Sequence, residues 1–181
     1  MHHARLGPKG TRPLAVLNDK GVFVGYAALF NRPDATGDII MPGAFSESLK
    51  RRGADNVRML FQHDPAEPIG AWIDLNETAK GLAVRGRLNM DVQRGREVAA
   101  LIEGRGLDGL SIGFKAIAAR RDRVTGLRRL ERVDLWEISL VTFPMQEGAR
   151  VNKAKALADW RRLFGISSAQ GAKSDGHRYR T

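Results

Sequence analysis

Three side chains that could do chemistry stand inside apolar runs of this sequence. They are an imidazole at His63, a hydroxyl at Ser111 and a carboxylate at Glu137. His63 is the only histidine in the body of the chain, because His2, His3 and His177 fall in the terminal stretches. It closes the run Met59-Leu60-Phe61-Gln62-His63. Ser111 sits in Leu110-Ser111-Ile112-Gly113-Phe114, and Glu137 in Trp136-Glu137-Ile138-Ser139-Leu140-Val141-Thr142-Phe143-Pro144. A serine hydroxyl is a poor nucleophile until a base removes its proton. An imidazole can do that, and a carboxylate can fix the ring's tautomer and stabilise its protonated form. The chemistry would be acyl transfer.

Each position has a plainer reading. Ser111 shares one strand face with Gly113, which leaves room for a substrate carbonyl, yet an ordinary solvated strand serine fits the same pattern. Continuing the alternation of Val57, Met59 and Phe61 places His63 beside the apolar set, where it could be a satisfied rim histidine. The two prolines of Asp64-Pro65-Ala66-Glu67-Pro68 read as a stiff loop that sets His63 at a rim. On 133–143, alternation groups Glu137 with Val133, Leu135, Ser139, Val141 and Phe143, while Trp136, Ile138 and Leu140 face the other way. Both faces are largely apolar, so Glu137 needs a partner: burying even a neutral polar group unpaired costs roughly 1–3 kcal/mol. Arg128, Arg129 or Arg132 could supply it, and so could the imidazole of His63.

Other chemistries are poorly served. There is no cysteine, which excludes disulfides and thiolate catalysis. One body histidine and no His-Glu-x-x-His argue against zinc hydrolysis, so neither metal nor cofactor is expected. Lys115 is a weak candidate for a Ser-Lys dyad. Gly104-Arg105-Gly106 lacks the Gly-Lys-Ser/Thr of a phosphate loop, but it is a place to look for oxyanion donors. Asp64, Asp108 and Asp134 read as loop or solvent-facing.

The elements that must position these groups are mostly strands. Extended segments are expected over 21–30, 39–41, 57–62, 69–74, 82–90, 110–118 and 127–143. Gly86 occupies a core-facing slot, a mark of a bulge or close approach. Asp122–Gly126 reads as a hairpin turn. Helices are expected over 43–51, over 92–103 with Asp91 as N-cap and Gly104 as its stop, and over 151–164. The strands lack regular helical crossovers, which argues against a doubly wound sheet. The expectation is an α+β, mainly β protein: a small closed or partly closed barrel of six or seven strands, flanked by two or three helices and carrying flexible basic tails. Residues 1–12 would form an arm, 13–164 one domain, and 165–181 a disordered tail.

Apolar residues make up 43% of the 181, enough for a core, and no run is long enough to cross a membrane as a helix. No secretory signal is evident behind Met1–Arg12. The formal net charge is +10, with eight Lys or Arg against two Asp from Arg150 onward. That balance leaves open a non-enzymatic basic assembly or nucleic-acid-binding module, with any nucleic-acid contact non-specific.

Four blocks in order, across Val22–Val151, resemble the prohead (head maturation) proteases of tailed bacteriophages and of gene transfer agents. They are Asp34-Ala35-Thr36-Gly37-Asp38 running to Pro42-Gly43-Ala44-Phe45, Phe61-Gln62-His63-Asp64 with Pro68-Ile69-Gly70, Gly106–Phe114, and Trp136–Pro144. Met145-Gln146-Glu147 departs from the Ala-Asn-Pro frequent in that family. The resemblance implies a β-barrel serine protease like the herpesvirus assemblins, with Ser111 as nucleophile and His63 as base. Glu137 takes the place of the assemblins' second histidine. It implies the capsid protein precursor as substrate and assembly partner, inside the immature capsid in the cytoplasm of a bacterial host, with no membrane partner. The stretch after Gly165 would be an accessible site for self-processing. An inactive relative, with the three residues merely structural, is the remaining alternative.

Overall fold

A computed structural model describes residues 17–152, Asp19 excepted. The arm, the tail and nearly all of the third expected helix lie outside the described residues.

The sheet expected from the alternation is present. It consists of β1 (Val22–Leu29), β2 (Asp38–Ile40), β3 (Arg58–Phe61), β4 (Asp64–Glu77), β5 (Gly81–Leu88), β6 (Gly109–Arg121) and β7 (Arg128–Val141), with helices α1 (Ser46–Arg52) and α2 (Gln93–Glu103). The strand order is β1-β5-β4-β3-β7-β2, and β6 pairs with β7 as a second neighbour. The sheet curls until its ends are joined by a short seam. Residues 149–152 lie between β1 and the start of β6. The Leu110 N–H donates to the Ala149 carbonyl and the Val151 N–H to Asp108, while the Tyr26 N–H donates to Arg150 and the Asn152 N–H to Val24. The result is the mainly β, barrel-like architecture expected, with seven strands and two helices among the described residues.

The core explains Gly86. It pairs with Phe23 on β1 and with Trp72 on β4. Those rings meet edge to face, 5.7 Å apart at 76°, directly over it. A Cβ at 86 would lie 2.5 Å from Met59 Cε and 2.9 Å from each ring. Complete burial of Phe23, Met59, Ile69, Leu82, Leu135 and Ile138 around this point contributes roughly 1.5–3 kcal/mol per side chain.

Several local expectations need correction. Residues 64–68 are not a loop. β4 begins at Asp64, and the prolines are accommodated by irregular pairing, in which Leu60 faces Pro68 and Phe61 faces Asp64. Pro68 has no N–H to give to a regular ladder. The N-cap of α2 is Val92 rather than Asp91, whose own N–H is taken by Asn89 Oδ1. Gly104 does stop the helix, donating to the Ala100 carbonyl. Asp122 closes the β6–β7 hairpin by accepting the N–H groups of Val124 and Thr125. Asp134 is not a solvent-facing loop residue. It lies in β7 and holds Arg52 through two hydrogen bonds of 2.9 and 2.8 Å, which docks α1 on the strand.

The main correction concerns β7. Gly113 pairs with Glu137, but the next residue of β6, Phe114, pairs with Leu135. Trp136 is therefore an extra residue, a β-bulge, and the alternation changes phase across it. Leu135, Ile138 and Leu140 face the core, whereas Glu137 and Ser139 share the opposite face. Leu135 and Glu137 do not point the same way, as unbroken alternation requires. Ser48 of α1 accepts the Leu135 N–H beside the bulge, so the disturbed ladder does not leave a buried donor unpaired.

Candidate active site

Two adjacent elements carry the imidazole. β3 runs parallel to β7 and then turns back into β4 through only Gln62 and His63. Both have positive φ, 55° and 61°. This is the geometry of a tight two-residue hairpin, normally given to Asn-Gly. Non-glycine residues there cost on the order of 1–2 kcal/mol each. Several contacts offset that cost. The Gln62 N–H donates to the Leu140 carbonyl at 3.0 Å. Gln62 Nε2 donates to Thr142 Oγ1 at 2.7 Å, and the His63 N–H donates to Ser139 Oγ at 3.1 Å. Arg94 of α2 stacks on Phe61 and bonds Glu67 at 2.9 Å, bracing the same hairpin. His63 is thus not a continuation of β3 on its apolar face. It is the second residue of a strained turn, its side chain 42% exposed.

Glu137 meets that turn. Its Oε1 lies 2.7 Å from His63 Nδ1, and its Oε2 accepts a 2.6 Å hydrogen bond from Ser139 Oγ. Of the arginines that could have paired with it, Arg128 bonds Asp38 and Arg132 bonds Glu47, and Arg129 makes no ion pair with Glu137 among the described residues. A carboxylate only accepts, so Nδ1 carries the proton and the Nε2 lone pair is left free. The hydrogen bond from Glu137 raises the His63 pKa above its usual 6.5, its charge adds to the effect, and partial burial opposes it. Gly113 makes the clearance. A Cβ there would sit 2.1 Å from Glu137 Oε1.

Ser111 lies across from Ser139 in the β6–β7 ladder, as Gly113 lies across from Glu137. Opposed residues of an antiparallel pair share a face, with Cβ atoms about 4.5–5.5 Å apart. The three expected residues therefore converge on one face: His63 and Glu137 in contact, and Ser111 one ladder position away. No hydrogen bond joins Ser111 to His63 among the described residues. Ser111 is 4% exposed. Its hydroxyl makes no hydrogen bond among the described residues. Ser139, by contrast, is fully buried and bonded on both sides. Sequence reading passed over Ser139, because a serine in a strand carries no signal until its neighbours are known.

Gly104-Arg105-Gly106 offers no oxyanion donors in this conformation. Its three N–H groups go to the carbonyls of Ala100, Ile102 and Leu101 at the end of α2. Asp64 and Asp108 are exposed and do not contact His63 Nδ1.

A curled, mainly β sheet with a hydroxyl, an imidazole and a carboxylate on one face describes a serine-hydrolase class of site. The chain belongs to the caudovirus prohead serine protease family, whose model matches residues 12–161. It is 36% identical over 140 residues to the prohead protease of Enterobacteria phage HK97, a match covering 76% of this chain and 62% of that protein. The prohead protease of Escherichia phage T5 is 30% identical over 152 residues, covering 81% and 71%. A capsid polyprotein of Pseudomonas phage PAJU2 is 27% identical over 161 residues, covering 85% of this chain and 23% of that protein. Among solved structures, the bacteriophage T4 capsid assembly protease gp21 superposes with a TM-score of 0.58 at 14% identity, over 68% of this chain and 82% of its own. The KSHV protease, solved with a hexapeptide phosphonate inhibitor, gives 0.52 at 13%, over 82% and 72%. At such identities these two structures support the fold alone.

Proposed function

We propose that this chain is a serine endopeptidase acting by acyl transfer, with Ser111 as nucleophile, His63 as general base and Glu137 as the acid that orients the ring. The observation that carries this reading is the His63–Glu137 hydrogen bond of 2.7 Å, made on the sheet face that also bears the hydroxyl of Ser111. In the reaction, His63 Nε2 takes the Ser111 proton as Oγ attacks a peptide carbonyl, and the imidazolium then protonates the leaving amine. Water repeats the sequence and releases the acyl group. Catalytic hydrogen bonds are often long before substrate binds, so the Ser111–His63 step is one that a bound peptide completes.

The protease domain is residues 13–164, and its substrate is the capsid protein precursor within an immature shell in the bacterial host. That reading follows the prohead and capsid proteases the chain resembles. The capsid polyprotein match is in keeping with a protease encoded beside the protein it cuts. Self-processing within 165–181 is part of the same proposal. Co-expression with the capsid precursor tests it: wild type yields the shortened capsid protein, and Ser111→Ala leaves the precursor uncut while keeping its fold by circular dichroism. Undiminished cleavage by Ser111→Ala overturns the assignment. Mass spectrometry of the active protein showing only chains that end at Thr181 removes self-processing.

A further inference from the structure

Among the described residues, Ser139 is the one fully buried hydroxyl that touches both halves of the imidazole–carboxylate pair. Its proton goes to Glu137 Oε2 at 2.6 Å. Its oxygen accepts the His63 backbone N–H at 3.1 Å. Both capacities are therefore used within the site, and the residue has no exposed surface. The arrangement solves two problems at once. A carboxylate on a flexible side chain can present either oxygen, at any rotation, to an imidazole; a donor fixed to Oε2 leaves Oε1 alone for Nδ1. A histidine at φ 61° in a two-residue turn has an N–H with no strand partner. The same hydroxyl takes that N–H and stops the turn from relaxing away from β7.

We propose that Ser139 is a positioning residue for proteolysis, holding the Glu137 carboxylate and the His63 turn in register so that the ring faces the Ser111 side of the sheet. It touches no reacting atom and acts through Glu137 and the turn. The inference rests on the protease reading of the previous section, and one of its measurements does not depend on proteolysis.

Kinetics of the full-length protein on purified capsid precursor give the first measurement. Ser139→Ala is expected to lower kcat about 10–100-fold, the range typical for removing a partner that orients a functional side chain, while KM changes less than about threefold. A merely structural role would add its effect to any other lesion. A positioning role predicts instead that Ser139→Ala costs almost nothing further in a Glu137→Gln background. Unchanged kcat, or a loss that adds fully to that of Glu137→Gln, overturns the proposal.

The second measurement is the NMR titration of the His63 ring in the full chain, assigned against His63→Gln. Releasing the carboxylate weakens the hydrogen bond that raises this group, so Ser139→Ala is expected to move the midpoint down toward 6.5. A midpoint equal to wild type overturns the proposal whether or not the chain cleaves capsid protein. If Ser139→Ala melts below the assay temperature, Ser139→Thr, which keeps the hydroxyl, must hold the wild-type midpoint; a threonine variant titrating at 6.5 is equally fatal. Failure of Ser111→Ala to stop cleavage sinks the protease reading but leaves this titration interpretable.

Discussion

At the scale of single residues, the site is one hydrogen-bonded chain from Ser139 through Glu137 to His63. Glutamine at 137 is the sharpest test of it. With Ser139 donating to the amide oxygen, the amide NH₂ would face Nδ1 and drive the ring's proton to Nε2, the atom that accepts from Ser111 in the proposed reaction. Glu137→Gln should therefore lower kcat on the order of 10⁴-fold with the fold intact, as loss of the orienting carboxylate does in such sites. The pH dependence has a definite sign. A base must be unprotonated, so with His63 as the proposed base, wild-type kcat/KM is expected to rise with pH through the His63 midpoint, which Glu137 sets above 6.5. The rising limb of Glu137→Gln should lie at lower pH than that of wild type, read from initial rates across the neutral range. The pairing of His63 with Glu137 was legible in the sequence, because an imidazole and an acid stand out in apolar runs. Gly113 was legible only as an absence of bulk. Its purpose, clearance for a carboxylate oxygen, becomes visible once Glu137 is its ladder partner.

At the scale of elements, period-2 alternation found six of the seven strands to within a few residues and β4 only in its middle. It failed at two places, both of them at the site. Gln62-His63 takes left-handed backbone that neither residue type announces, and Trp136 adds one residue to β7, which reverses inside and outside beyond it. Alternation presumes an unbroken pleat, and a bulge or tight turn is a local exception stabilised by distant partners, here Ser48 and Ser139. β5, between β1 and β4, follows the alternation, including its glycine. Gly86→Ala should cost about 1–3 kcal/mol of unfolding free energy, the usual effect of overpacking. The new methyl would meet Met59 and two aromatic rings that are themselves buried. Urea unfolding should show a lower midpoint with an unchanged slope. A midpoint equal to wild type would mean that this packing can relax.

At the scale of the whole molecule, charge and topology matter more than any one contact. Two sets of titrating groups act at opposite ends of the pH range. His63 has a folded pKa above its unfolded 6.5, so its contribution is complete below pH 6.5 and fades as pH rises through the folded value. Asp134, held by Arg52 and Trp136, and Asp122, held by the N–H groups of its turn, are lowered instead. Their contributions are complete above the unfolded 3.8 and fade as pH falls below it. Chemical denaturation across pH should give greatest stability between these windows, and His63→Gln should lessen the decline on the alkaline side. The barrel class was legible because the strands lacked helical crossovers, but the means of closure was not: residues 149–152 had been assigned partly to a helix. Their position has a consequence for synthesis. β1 is made first, yet its Val24 carbonyl and Tyr26 N–H find partners only at Asn152 and Arg150. A chain emerging from the ribosome cannot fasten its first strand to the strand bearing Ser111 until residue 152 has been translated. A polypeptide that stops short of this point thus leaves β1 and the start of β6 unjoined.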